Sequence, residues 1–452
     1  MSLKFPISLV GKRAASITTP SVLYTGNGGV LAEIDGDIPD GFNNEEELYN
    51  PASLSIGSSC GSIGSYAFGY NSNLTTIDTL NPPPPTLTSI GDYAFVDTPI
   101  TGSVFLPSTL DLGVGVFYGT NITDVTIEME TLGNTADGYG AFESCGNIES
   151  VTLLDSCKNL YGPVFYDTRP DQSGGTAQFT LDLGSVVNIG AIGSDYGPFE
   201  YSGAIGNLNL PNTVEIIGDN AFIGSNGLTG TLTIPDSVTY IGDYAFEDCS
   251  GFNGSLTLPN NPNLTGIGDY AFSGSNGLTG TLTIPDSVTS IGSGAFKTCS
   301  GLTSLTIGNS VTSIGDYSFY FCTNLFGTLT IPDSVKTIGD WAFNACIGLD
   351  GTLTIPDSVT SIGSTAFGYA FSVNTLVIGS GVTSISSNAF YGNFSLTAVY
   401  TNCPASSFTG TNAFFLTNFT TIYTGPNATG YTSSFQGRTG LTIANWDNYP
   451  NI

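Results

Sequence analysis

The sequence predicts an all-β-dominated repeat solenoid, and two observations carry that reading. The sixteen residues Gly224–Thr239 recur unchanged as Gly274–Thr289, and the twelve residues Leu282–Ser293 recur unchanged as Leu353–Ser364. A phenylalanine also closes each copy, at Phe68, Phe95, Phe117, Phe142, Phe165, Phe199, Phe222, Phe246, Phe272, Phe296, Phe319, Phe343, Phe367, Phe390 and Phe414. From Phe199 onward the spacing is 23 to 26 residues. One copy this short cannot bury its own apolar face, so neighbours must cover it and the copies stack. About 15 coils at the sheet spacing make a body roughly 70 Å long.

Each part of the unit has a physical reading. Leu302, Leu305 and Ile307 alternate with Thr303, Ser304 and Thr306, as in a short half-buried strand. Pro285 fixes φ and ends the strand, and Asp286 can accept backbone hydrogen bonds in an Asx-turn. Val288 and Ile291 return to the core, Gly292 breaks the chain, and Ala295-Phe296 closes the coil in a helical or 3-10 turn. No stretch has the pattern of an amphipathic helix of ordinary length.

With Ile241-Gly-Asp-Tyr-Ala-Phe246, Cys249-Ser-Gly251, Leu282-Thr-Ile-Pro-Asp-Ser-Val288 and Leu302–Ile307 in hand, the chain resembles the BspA-like (Treponema pallidum-type) leucine-rich repeat. The resemblance runs from about Leu54 to Tyr423. It implies an array of short strands, turns and 3-10 turns. It also implies a surface-exposed or secreted protein of the adhesive kind found in bacteria and some protists, with no catalytic motif to carry over.

The segments follow in order. Residues 1–52 lie outside the period and form an N-terminal cap or attachment segment. Leu3, Phe5, Ile7 and Leu9 alternate around Pro6 like an edge strand. Val22–Thr25 and Val30–Ile34 flank Gly26-Asn-Gly-Gly29 like a hairpin. Lys4, Lys12 and Arg13 fall here, three of the eight basic residues, and are the candidates for anchoring on an acidic partner. Asp35–Glu47 has carboxylates but not the register of a calcium loop, with Asp40 where an EF-hand needs glycine. The solenoid spans 53–423 and is irregular over 151–215, where the 166–178 segment reads as an inserted loop. Residues 424–452, with Trp446 and Tyr449, form a C-terminal capping segment.

Composition excludes several classes. Eight Lys and Arg against 37 Asp and Glu give a formal charge of −29, which disfavours nucleic acid and anionic lipid. The absence of histidine removes the commonest general base and transition-metal ligand. No apolar run is long enough for a membrane span. The start, MSLKFPISLVGKRAAS, lacks a classical signal peptide. No nucleophile–base pair, phosphate loop or unrepeated carboxylate pair stands out, so no catalytic residue, metal ligand or cofactor is assigned. Cys145, Cys249, Cys299, Cys322 and Cys346 each follow a closing phenylalanine by three residues. Thr98, Ser225, Ser275, Ala370 and Asn393 fill the same slot elsewhere, so buried free thiols are expected.

Two rows are candidates for a binding face. The first is threonine on the outward side of the strands: Thr231, Thr233, Thr257, Thr281, Thr283, Thr306, Thr328, Thr330, Thr352 and Thr354. These hydroxyls can staple the ladder or receive a glycan or a flat protein surface. The second is Tyr66, Tyr93, Tyr244, Tyr270, Tyr317 and Trp341, two residues before the closing phenylalanine, where rings can stack between coils or anchor a partner. Asp92, Asp243, Asp269, Asp316 and Asp340 precede these rings, Asp219 holds the same position before Asn220, and all six are read as caps of the Ala-Phe turn. The function expected is non-enzymatic adhesion or surface recognition, extracellular, on a cell surface or virion. The alternative is a structural component of a virion or extracellular layer, assembled or attached through residues 1–52.

Overall fold

The computed structural model describes residues 21–24, 31–42, 52–133, 139–168, 178–436 and 438–445. Each coil contributes strands to two parallel ladders. One is built from the Leu-Thr-Ile segments, as where Asn121–Ile127 lies between Thr101–Leu106 and Ser150–Leu153. The other is built from two-residue Ser-Ile segments, as in the run Ser290–Ile291, Ser313–Ile314, Thr337–Ile338 and Ser361–Ile362. Side chains from both ladders meet in one core that runs the length of the array, with Ile291, Ile314 and Ile338 at most 2 % exposed.

The closing phenylalanines form one continuous column. Fourteen successive pairs from Phe68 to Phe414 stack with centroids 5.1–5.7 Å apart and planes within 2–13°. Each pair adds about 0.5–1.5 kcal/mol beyond the area it buries. Phe42 meets Phe68 edge-on at 5.9 Å, so a further coil precedes the first one counted from sequence.

The turn around Phe is not the helical or 3-10 closure expected. Ala295 N–H donates to Gly292, Lys297 to Gly294 and Cys299 to Phe296, each an i to i+3 bond. The alternate amides of Gly294, Phe296 and Thr298 donate instead to the next coil. Sending alternate amides outward requires left-handed residues two before and two after the phenylalanine, and a 3-10 helix has none. Among the described residues a 3-10 helix occurs at Ala405–Ser407.

Coil geometry continues on both sides of residues 53–423. Leu31–Asp35 pairs in parallel with Ser53–Ile56, and Thr421–Thr424 with Thr442–Asn445. Ser21–Tyr24 then returns antiparallel on Leu31–Asp35, the hairpin read from the sequence, and covers the first edge. At the other end Phe408 and Phe435 pack against Phe414, and Tyr431 packs against both Phe408 and Phe435. Arg438 donates to the Phe419 carbonyl at 2.8 Å. Trp446 and Tyr449, expected to cover the last coil, lie outside the described residues, as do the tip of the hairpin and residues 169–177 of the inserted loop.

Candidate binding face

The outward position of the Leu-Thr-Ile strand follows from strand alternation: Leu232 and Ile234 point in, so Thr231 and Thr233 point out. Thr257, Thr281, Thr283, Thr306, Thr328 and Thr330 are likewise exposed, and Thr352 and Thr354 are half-buried. Among the described residues no protein group pairs with any of these ten hydroxyls. Threonines of the other ladder behave differently. Thr289, Thr312, Thr360 and Thr383 each donate to a carbonyl of the preceding coil at 2.9–3.1 Å. One set of hydroxyls holds the stack together and the other faces solvent.

The Thr face is less flat than the sequence suggests. The ladder register shifts at Gly280/Thr281 and again at Gly351/Thr352. Gly280 and Gly351 have φ of 79° and 69°, which bulges the strand just before the threonines. Past Thr354 the same row continues as Val377, Tyr400 and Tyr423, where the two tyrosine rings stack at 4.5 Å.

The aromatic row lies past the Ser-Ile ladder, on a separate side of the coil from the threonines. Tyr66 stacks on Tyr93 at 5.1 Å, Tyr244 on Tyr270 at 5.3 Å, and Tyr317 on Trp341 at 6.0 Å. Tyr244 is exposed, while Tyr270, Tyr317 and Trp341 are half-buried. All six rings sit on left-handed backbone, φ 53–59°, an uncommon conformation for bulky residues. Beside Tyr270 the neighbouring coil has glycine in the ring's place: a Cβ on Gly294 would lie 2.5 Å from Cε1 of Tyr270. The anchoring candidates Lys4, Lys12 and Arg13 lie outside the described residues.

The aspartates that precede the rings do not cap their own turn. Each carboxylate reaches the next coil: Asp243 N–H donates to Asp219 Oδ1 at 2.9 Å, Asp269 to Asp243 at 2.6 Å, Ser293 to Asp269 at 2.7 Å, and Asp340 to Asp316 at 2.7 Å. The reason is the preceding glycine. A Cβ on Gly292 would lie 2.6 Å from the Gly268 backbone, so consecutive coils touch there and the amide above comes within reach. Asp286 likewise accepts from Asn309 of the next coil at 2.7 Å. A shallow groove of about 430 Å³ runs along this ladder between Ser293 and Ser386, with Asp316 and Asp340 in its lining. Among the described residues no cluster of His, Cys, Asp or Glu is arranged to hold a metal ion.

Two carboxyls stand apart, one before and one after the inserted 166–178 segment. Glu143 accepts from Gly140 N–H at 2.9 Å and Glu200 from Gly197 N–H at 3.2 Å, each capping its own turn. Burial raises both to about 7, helped by Asp167 beside Glu143 and by Glu143 beside Glu200.

The cysteine slot carries more chemistry than its size suggested. All eight cysteines are buried. The thiols of Cys145, Cys249, Cys299, Cys322 and Cys346 donate to the phenylalanine carbonyl of the preceding coil at 3.0–3.1 Å. Ser225 and Ser275 make the same bond at 2.6 and 2.8 Å, and Asn393 makes it at 3.0 Å.

One surface escaped the sequence reading. Phe371, Phe394 and Phe415 are 36, 46 and 43 % exposed, and lie along the edge just after the closing phenylalanines. The signal was present: Phe371 and Phe394 both stand four residues past a closing phenylalanine, and residues 358–437 contain no charged side chain.

A family model described as BspA type leucine rich repeat region matches in six copies over residues 42–170, 194–326 and 326–442. A leucine-rich repeat protein from Bacteroides ovatus has a similar solved structure, with a TM-score of 0.55 at 22 % identity over 95 % of this chain and 99 % of that one. Another from Eubacterium ventriosum scores 0.41 at 19 % identity, covering 92 % and 95 %. The pneumococcal vaccine antigen PcpA scores 0.31 at 16 % identity, covering 94 % and 96 %. No curated protein sequence matches.

Proposed function

The chain belongs to the BspA-type leucine-rich repeat family, and on that premise we propose that it is a non-enzymatic recognition scaffold displayed at a surface. Its outward threonines, Thr281, Thr283, Thr306, Thr328 and Thr330 at their centre, receive a protein or glycan. The observation that carries this reading is the contrast between the two threonine sets. The ladder spends Thr289, Thr312, Thr360 and Thr383 on coil-to-coil bonds, while the outward set keeps its hydroxyls for a ligand. An uncharged hydroxyl face also suits a chain of net charge −29, because a ligand docks there without meeting carboxylates. Among the described residues no helix is long and apolar enough to cross a membrane. For attachment at that surface the segment proposed is residues 1–52, with Lys4, Lys12 and Arg13.

The test is an immobilised panel of glycans and matrix proteins, probed with the native chain and with a Thr283→Lys/Thr306→Lys/Thr330→Lys variant. Retention on one class of ligand that falls at least tenfold in the variant, with the circular dichroism spectrum unchanged, supports the reading. Equal retention of both proteins removes the Thr face from it.

A further inference from the structure

We infer that the edge of the last five coils is a self-association face, on which two copies of this chain join. The rings there form one connected cluster. Phe394 meets Phe371 at 5.5 Å, Phe371 meets Tyr369 at 5.7 Å, Tyr369 meets Tyr391 at 5.2 Å, and Tyr391 meets Phe415 at 5.9 Å. Leu416 extends it at one end and Ile347 at the other, 42 and 41 % exposed. Phe326, 60 % exposed, lies over Gly348, whose added Cβ would come within 2.7 Å of its ring. These side chains face water although the closing phenylalanines beside them are fully covered.

Size, chemistry and charge choose the occupant. At about 200 Å² per large side chain, the exposed fractions leave roughly 500 Å² of apolar surface. That is near the upper end for a lone monomer patch and approaches the roughly 800 Å² each partner buries in a standard interface. Tyr369 and Tyr391 of the same cluster are half-buried and their hydroxyls bond each other, while the most exposed groups are phenylalanine, isoleucine and leucine. They resemble the apolar centre of a homodimer contact. The chain carries a net charge of −29, yet residues 358–437 have no Asp, Glu, Lys or Arg. Two copies approaching through other coils bring carboxylates against carboxylates. Through the stretch that carries Phe371, Phe394 and Phe415 they bring neutral surface against neutral surface, and an isologous pairing needs only that one patch fit itself. A basic partner would gain nothing from this region and would be steered to the acidic coils instead.

Sedimentation equilibrium of the full chain, over a range of concentrations and at low and high salt, tests this. The expected result is a concentration-dependent dimer whose affinity holds or rises with salt, since screening relieves the remaining repulsion. Phe371→Glu and Phe394→Glu place like charges across the contact and weaken it at least tenfold, while Asn73→Glu, exposed in a coil far along the array, leaves it unchanged. Circular dichroism and the melting temperature check that each variant folds. If Phe394→Glu is unfolded, Phe394→Ser reports on the same contact without a charge. A native chain that stays monomeric at every concentration overturns the inference, as does a dimer indifferent to both phenylalanine variants. Loss of retention on a neutral polysaccharide column in the same variants, without any dimer, reassigns the face to glycan.

Discussion

Replacing Cys299 by alanine removes two things at once. The thiol is fully buried and donates to the Phe272 carbonyl at 3.0 Å. Among the described residues that carbonyl otherwise accepts only from the Ser275 amide of its own coil, at 3.2 Å. Losing the donor costs about 0.5–1.5 kcal/mol. Losing the sulfur forfeits about 1 kcal/mol of transfer energy and leaves a small cavity worth roughly another 0.5 kcal/mol. The expected total is about 2–3 kcal/mol. Cys299→Ser keeps the donor, in the form Ser275 already uses towards Phe246, and is expected to cost about 1 kcal/mol. The reverse experiment is available at Ala370, which fills the same slot without a donor: Ala370→Ser should gain roughly 0.5–1.5 kcal/mol. A long array unfolds in parts, so hydrogen exchange of the amides between Phe272 and Phe319 is the assay, alongside urea unfolding. If Cys299→Ser costs as much as Cys299→Ala, the slot selects for volume and the carbonyl bond contributes nothing.

Three further outcomes follow from the same geometry. Burial pushes the thiols of Cys145 and Cys157 up to about 11, that of Cys346 to about 12, and those of Cys249, Cys299 and Cys322 up as well, so a thiol reagent at mildly alkaline pH should label none of these six until denaturant is added. Rapid labelling of any of the six in the native chain would contradict this. Glu143 and Glu200 hold protons when folded up to about pH 7, against an ordinary value of 4.5. The folded state therefore binds more protons than the unfolded chain between those values, and their contribution to stability is full below pH 4.5 and lost as pH rises through 7. Melting temperature should fall from pH 5 to pH 8 in the native chain and fall less in a Glu143→Gln/Glu200→Gln variant; equal slopes would refute the assignment. Gly294→Ala adds a Cβ at φ 61° against the Tyr270 ring and should cost about 2 kcal/mol. In a Tyr270→Ala background only the backbone share, about 1 kcal/mol, should remain, as read from urea midpoints.

The repeat was legible because its core is monotonous. A phenylalanine at a fixed period can only stack on the next one, and the small residue three positions later could be read as buried without seeing it. The direction of the aspartates was not legible. Whether Asp269 caps its own turn or the next depends on how closely Gly268 and Gly292 approach, which is a fact about neighbouring coils and not about one unit. The left-handed backbone under Tyr270 was hidden by the residue itself, since tyrosine is a poor choice for positive φ. Only the substitutes in that column, Gly294, Asn220 and Asn388, betray it. The outward threonines were found by alternation, but the bulges at Gly280 and Gly351 that divide their sheet came from the structure. The exposed phenylalanines were overlooked because attention to period favours positions that every coil shares, and Phe371 and Phe394 are shared by few.

The bonds between coils all run along the axis of the stack, through the ladders, the aspartates and the cysteine slot. A pull on the two ends of the chain therefore loads every coil interface in series, each bearing the whole force. The interface that yields first is the one with the weakest bonding between its two coils. Its release frees about 24 residues, which extend to roughly 80 Å at about 3.4 Å per residue, while the next interface stays shut. Under flow such a molecule pays out in steps, shedding tension one coil at a time while the coils still stacked keep their faces intact.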